Sequence, residues 1–219
     1  MSTSNEISYK NELLRKGIHL LSLSLPVTYA FISRELALAI FVPMALISII
    51  FDILSRKENK FQKLFQKVFG QILRSHEHPG NFTLNGASWV LISVSICVFV
   101  FPKIITLTGL SILILSDISA ALIGRKYGKH PLFDKSIEGT IAFAVSAIVI
   151  VFIIGSIYHT PWTFFVVGII ASIIGAIVEA ASHVLKVDDN MSIPFSIGFI
   201  MWGGGLLAAI LHAPFLNIL

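Results

Sequence analysis

The sequence predicts an all-α fold: a polytopic bundle of about seven transmembrane helices forming a single integral-membrane domain over residues 1–219. Three observations predict it. The chain is 55% hydrophobic and only 13% charged, with a mean hydropathy of +0.86, values that a soluble domain of this size rarely reaches. Its apolar residues fall into runs of roughly 20, the length that crosses a bilayer. Once those runs are set aside, little of the 219-residue chain is left for a soluble domain. The single cysteine, Cys97, sits inside an apolar run, which excludes an intramolecular disulfide and a cysteine metal cage.

Residues 1–16 form a polar N-terminus in which Arg15 and Lys16 lead into span one, about Ile18–Ser33. No small-residue cleavage site follows this run, so a retained span is expected rather than a signal peptide. Span two covers about Leu36–Leu54, with Asp52 near its end. Residues 56–80 are the longest polar segment. There Phe61, Leu64, Phe65, Val68, Phe69 and Ile72 recur at three- and four-residue spacing opposite Gln62, Lys63, Gln66, Lys67 and Gln71. That pattern predicts an amphipathic interfacial helix between spans two and three. Span three is about Leu84–Phe101 and opens with Asn85 and Gly86. Spans four to seven are about Ile104–Ile123, Ile137–Tyr158, Trp162–Ser182 and Ile193–Leu211.

Charge orients the bundle. With the N-terminus in the cytoplasm, 14 of the 16 Lys and Arg residues fall on the cytoplasmic side and only Arg34 and Lys103 on the other. The expectation is therefore an N-terminus inside and a C-terminus on the opposite side, in the cell inner membrane of a bacterium or the endoplasmic reticulum of a eukaryote. Nearly every unusual polar residue shares that side. A charged, water-soluble substrate arriving from the cytoplasm and an apolar partner arriving from the bilayer would explain this. No nucleic-acid partner is expected. Gly203, Gly204 and Gly205 in span seven permit close helix packing and leave room for a homodimer.

The stretch Ser116–Gly139 carries the densest chemistry. Asp117 follows an apolar run, where a carboxylate is costly to bury without a metal, a cation or a hydrogen-bonded pocket. It reads as a magnesium ligand or general base; the alternative is an interfacial carboxylate paired with Arg125 or Lys126. Residues 124–136 read as a cytoplasmic phosphate-binding loop. Gly124 and Gly128 would allow close backbone approach, and Arg125, Lys126 and Lys129 would supply positive charge. It is not a P-loop: the spacing is one residue short, and His130 stands where Ser or Thr would hold magnesium. The alternative is a set of topology charges facing lipid headgroups.

Lys135, Ser136, Glu138 and Gly139 open span five, where helix-start amides favour an anion. Lys135 would bind phosphate there and Glu138 would reach metal or water. The alternative is an ordinary helix start, with Ser136 as cap and Glu138 complementing the dipole. Glu179, late in span six, shares a helix face with Gly175 and His183, and Asp188, Asp189 and Asn190 follow in the next loop. Such oxygen-rich groups suit Mg2+ with bridging phosphates, so Asp117, Glu179 and Asp189 are the metal candidates. Arg15, Lys16 and His19 from span one, and Arg74, Glu77 and Asn85 from the far side, would close the site. The alternatives are snorkelling and headgroup contact.

Together these residues resemble the membrane lipid-kinase family that includes dolichol kinase, the CTP-dependent diacylglycerol kinase of yeast and phytol kinase. The carriers run from Arg15-Lys16-x-x-His19 through Arg74-x-x-Glu77 and Asn85-Gly86-Ala87 to Asp117-x-x-Ala120-Ala121-x-x-Gly124-Arg125-x-x-Gly128. Lys135-Ser136-x-Glu138-Gly139 and Glu179 followed by Asp189-Asn190 complete them. The resemblance implies transfer of the terminal phosphoryl group of a nucleoside triphosphate, often CTP, to the hydroxyl of a lipid such as a polyprenol, phytol or diacylglycerol. It extends to phosphatidate cytidylyltransferases through Gly124-Arg125 and Lys135-x-x-Glu138-Gly139. Their C-terminal Gly-rich signature is absent here, which favours the kinase over cytidylyl transfer. A small-anion or lipid transporter is the reading from another class; its polar residues would have to continue through the midplane, and here they stop on one side.

Overall fold

The computed structural model describes residues 9–55 and 84–216. The interfacial helix predicted over 56–80, with Arg74 and Glu77, lies outside the described residues, as does the side chain of His183. The described helices are α1 (Tyr9–Leu21), α2 (Ser24–Phe31), α3 (Arg34–Ser55), α4 (Gly86–Val100), α5 (Lys103–Tyr127), α6 (Ile137–Ile157), α7 (Trp162–Leu185) and α8 (Asp189–Ile210). Between α5 and α6 stands a hairpin of two short antiparallel strands, β1 (Pro131–Leu132) and β2 (Lys135–Ser136). Among the described residues, five helices are long and apolar enough to cross a membrane: α3, α5, α6, α7 and α8. α4 is apolar but shorter, at 15 residues.

Two sequence expectations need correction. The run read as span one is not a single helix; it breaks between α1 and α2. Pro26 explains the break, because it has no N–H for the Ser22 carbonyl and its ring crowds that carbonyl. The Ser22 carbonyl instead accepts from Leu25 N–H at 3.0 Å, and the Ser22 hydroxyl turns back to donate to the His19 carbonyl. The second correction is that helix persists through the segment read as loop from Gly124. α5 runs on to Tyr127, so the connection to α6 is shorter and carries the hairpin.

α5 is the axis of the bundle. It packs against α1, α2, α4, α6 and α8, and 67% of its apolar window is buried, against 22–44% for the other long helices. α6 shows why the outer helices are less buried. Ile141, Val145, Val149 and Ile153 are exposed along one face, while Phe143, Ala147, Ile150, Val151 and Ile154 are buried, the amphipathy of a helix between lipid and protein. Lipid tails are as apolar as the core, so close packing rather than burial from water holds such helices together. Small residues supply it: an added Cβ at Gly109 of α5 would stand 3.3 Å from the Pro194 carbonyl of α8, and one at Gly198 would stand 2.4 Å from the Phe101 ring. Phe101 in turn meets Phe199 edge-on, with ring centroids 5.1 Å apart. Gly204 and Gly205 pack within the chain, against Val167 and Phe215, while Gly203 has open space around it.

Candidate active site

Asp117 is buried in α5, ten residues before the helix ends at Tyr127. That is roughly 15 Å along the axis at about 1.5 Å per residue, deeper than a span-end position. Its partner is neither Arg125 nor Lys126. The Lys16 ammonium of α1 is ion-paired to Asp117 Oδ2, and both side chains are more than nine-tenths buried. His19, three residues further and on the same face of α1, brings Nε2 to 3.7 Å from the same oxygen. Lys16 therefore does not snorkel to the surface but turns inward.

A second pair forms beside the first. Lys135, on β2, meets Glu179 Oε1 on α7, and Glu179 is 2% exposed. The other Glu179 oxygen, Oε2, is buried and has no hydrogen-bond partner. Asp189 is buried in the first turn of α8, whose cap is Asp188: its Oδ1 accepts from Asn190 N–H at 3.0 Å and from Asn190 Nδ2 at 2.8 Å. Asp117, Glu179 and Asp189 lie within electrostatic reach of one another, as do Lys16, His19 and Lys135 with Asp117. Five elements from distant parts of the chain thus bring three carboxylates and two ammonium groups into one buried cluster. Breaking either pair would strand a buried charge at a cost of about 3–5 kcal/mol.

Other predicted site residues take different places. Gly124 and Gly139 face each other where α5 meets α6: a Cβ on Gly124 would lie 3.4 Å from Gly139 Cα. Ser136 fills the seam and caps α6, its Oγ accepting from Gly139 N–H at 3.2 Å. Gly128 closes α5, its N–H donating to the Gly124 carbonyl at 2.9 Å, and an added Cβ there would stand 2.2 Å from that oxygen. These glycines approach protein backbone rather than an open phosphate cradle. Arg125, Lys126 and Lys129 are exposed beyond the cluster, with Lys126 over the Tyr127 ring. Glu138 turns to the hairpin, with Oε1 2.7 Å from His130 Nδ1. Asn85 caps α4, accepting from Ser88 N–H at 2.9 Å. Arg15 is half-buried beside Lys16, and Arg74 lies outside the described residues.

One residue gains weight that the sequence did not give it. Asp52 is 3% exposed and accepts from Asn85 N–H at 2.7 Å, fixing the start of α4 to the end of α3. Its signal was a carboxylate late in an apolar run.

Among the described residues, no three His, Cys, Asp or Glu side chains converge closely enough to hold a metal ion unaided. A metal whose shell is completed by phosphates needs only one or two protein carboxylates. The unpartnered Glu179 Oε2 beside Asp117 and Asp189 suits that arrangement and not a bare protein cage.

Long apolar helices around a buried acid–base cluster define an all-α integral membrane protein with a polar site set into one end of the bundle. Over 190 residues the chain is 35% identical to an uncharacterized protein of Rickettsia prowazekii, covering 84% of this chain and 90% of that protein. The chain belongs to the family of that rickettsial protein. More distantly, it is 28% identical over 150 residues to CTP-dependent diacylglycerol kinase 1 of Schizosaccharomyces pombe and 27% identical over 202 residues to that of Saccharomyces cerevisiae. Those matches cover 61% and 83% of this chain, and 65% and 64% of the kinases, so the chain spans somewhat less than two thirds of either enzyme. No family model matches the chain, and no solved structure matches it.

Proposed function

We propose that the chain is a lipid kinase. It transfers the terminal phosphoryl group of a nucleoside triphosphate, CTP by preference, to the hydroxyl of a membrane lipid alcohol such as diacylglycerol, a polyprenol or phytol. The observation that carries this reading is the cluster of Lys16, Asp117, Lys135, Glu179 and Asp189. The distant relationship to two CTP-dependent diacylglycerol kinases supports it.

Phosphoryl transfer needs positioning and charge neutralisation more than covalent help from the protein. When a triphosphate arrives, Lys16 and Lys135 exchange their carboxylate partners for phosphate oxygens, so no buried cation is stranded. Arg125, Lys126 and Lys129 draw the nucleotide in from solvent, and the N-termini of α6 and α8 favour its negative charge. Glu179, released from Lys135, and Asp189 are the groups that would hold Mg2+, which would supply further neutralisation of phosphate charge. The lipid hydroxyl oxygen attacks the terminal phosphorus as the bond to the bridging oxygen breaks. The nucleoside diphosphate leaves, and the hydroxyl proton passes to a carboxylate, for which Asp117 is our candidate. The lipid tail stays between helices in the bilayer. The basic side faces the cytoplasm, where the nucleotide is found.

Purified protein in detergent, given CTP or ATP with diacylglycerol, a polyprenol or phytol, tests this directly. The expected products are a nucleoside diphosphate and a phosphorylated lipid of matching mass. Pyrophosphate release with phosphatidate as acceptor would instead identify a cytidylyltransferase. Solute flux across sealed vesicles without nucleotide turnover would identify a transporter.

A further inference from the structure

Glu138 carries a carboxylate beside the buried cluster in sequence, yet its side chain goes elsewhere. The hairpin that holds Lys135 is closed at its open end by three contacts between His130, just before β1, and the start of α6. Ile137 N–H donates to the His130 carbonyl at 2.9 Å, His130 N–H donates to Glu138 Oε2 at 3.4 Å, and His130 Nδ1 lies 2.7 Å from Glu138 Oε1. At the other end the turn is only Phe133–Asp134, with Phe133 at φ 52°. A bulky residue in the left-handed region is strained, and such strain persists only where the flanking structure fixes it. Within this pinned frame Lys135 stands opposite Leu132 and reaches across to Glu179 on α7.

We propose that His130 and Glu138 are a positioning pair: together they clamp the hairpin so that Lys135 is held on Glu179, and Glu138 does not itself touch substrate. The pair acts through Lys135, so its loss loosens the grip on the nucleotide phosphates and leaves the reacting carboxylates in place. This rests on the kinase reading for its kinetic readout only.

Two readouts test it on the full-length protein. The first needs no turnover: the rate at which a water-soluble acylating reagent modifies Lys135, followed by mass spectrometry. Glu138→Ala and His130→Ala are expected to raise that rate several-fold. Glu138→Gln, which keeps a side chain able to hydrogen-bond His130, is expected to leave it near the parent value. The second readout is kinetic. Both alanine variants are expected to raise KM for CTP about tenfold with kcat little changed, the signature of lost binding rather than lost chemistry. The double variant should be no worse than either single one, because both remove the same contact. Glu138→Gln as damaging as Glu138→Ala, or Lys135 labelling unmoved in both alanine variants, overturns the proposal. If Glu138→Ala does not fold, His130→Ala and Glu138→Gln decide. If the parent turns over no CTP at all, the kinase reading fails while the labelling still judges the clamp.

Discussion

The two ends of the bundle hold their charges in opposite ways. At the Lys103 end, Lys103 Nζ donates to the Ile32 carbonyl at 2.9 Å and stands 5.3 Å from the Tyr29 ring centroid, while Arg34 donates to the Phe99 carbonyl. Both cations finish helices, since Ile32 caps α2 and Phe99 lies in the last turn of α4. At the Asp117 end, Lys16 and Lys135 meet carboxylates from other helices, and one oxygen of Glu179 is left over. A charge that completes the backbone leaves no chemistry in reserve. A charge held by another charge can be exchanged for a ligand. Under the proposed kinase reading, that difference assigns the function to the Asp117 end.

The sharpest way to break the comparison is Asp117→Asn. We predict that it lowers turnover by about 10²–10⁴-fold, the range for losing a positioned acid or base. It should also lower stability by about 3–5 kcal/mol, because Lys16 is left buried without an anion. Adding Lys16→Met removes the stranded charge, so the double variant should regain much of the stability and none of the turnover. CTP turnover and thermal unfolding in detergent measure both effects. A single variant that keeps full turnover would put the two ends in the same structural class.

A smaller effect sharpens the contrast between packing and function. Gly128→Ala would press a Cβ to 2.2 Å from the Gly124 carbonyl, and Gly198→Ala would press one to 2.4 Å from the Phe101 ring. Each should cost about 1–3 kcal/mol of stability as overpacking. Only Gly128→Ala disturbs the hairpin that carries Lys135, so only it should also raise KM for CTP. Equal kinetic damage from both would mean that activity follows general stability.

How far the sequence could be read follows from the range of each interaction. Hydropathy runs place the long helices to within a few residues because length and apolarity are local properties: span five was expected at Ile137–Tyr158 and α6 is Ile137–Ile157. Asp117 is legible as a costly carboxylate and Glu179 and Asp189 as oxygen-rich metal candidates, but their partners are not. Lys16 lies 101 residues from Asp117, and Lys135 lies 44 from Glu179, and nothing in the intervening chain encodes those pairings. The glycines are ambiguous for a related reason. Gly-x-x-x-Gly spacing permits close approach without saying to what, and it is Gly139 that Gly124 meets across the α5–α6 seam. Pro26 stands inside an apolar run, and hydropathy alone does not register the break between α1 and α2 that it imposes.

The smallest predicted effect tests the inert end. Lys103→Met removes a charged donor from the Ile32 carbonyl and a cation from the face of Tyr29. It should cost about 1–2 kcal/mol of stability. Lys103→Arg, which keeps both a donor and a planar cation able to lie against an aromatic ring, should recover much of that loss. Neither variant should change kcat or KM for CTP, because Lys103 begins α5 while Asp117 lies fourteen residues further along it, roughly 21 Å at about 1.5 Å per residue. The measurement is paired: unfolding temperature in detergent beside steady-state kinetics. A drop in turnover with Lys103→Met that Lys103→Arg repairs would mean that α5 transmits the state of one end to the other, and the division of labour between the ends would then be incomplete.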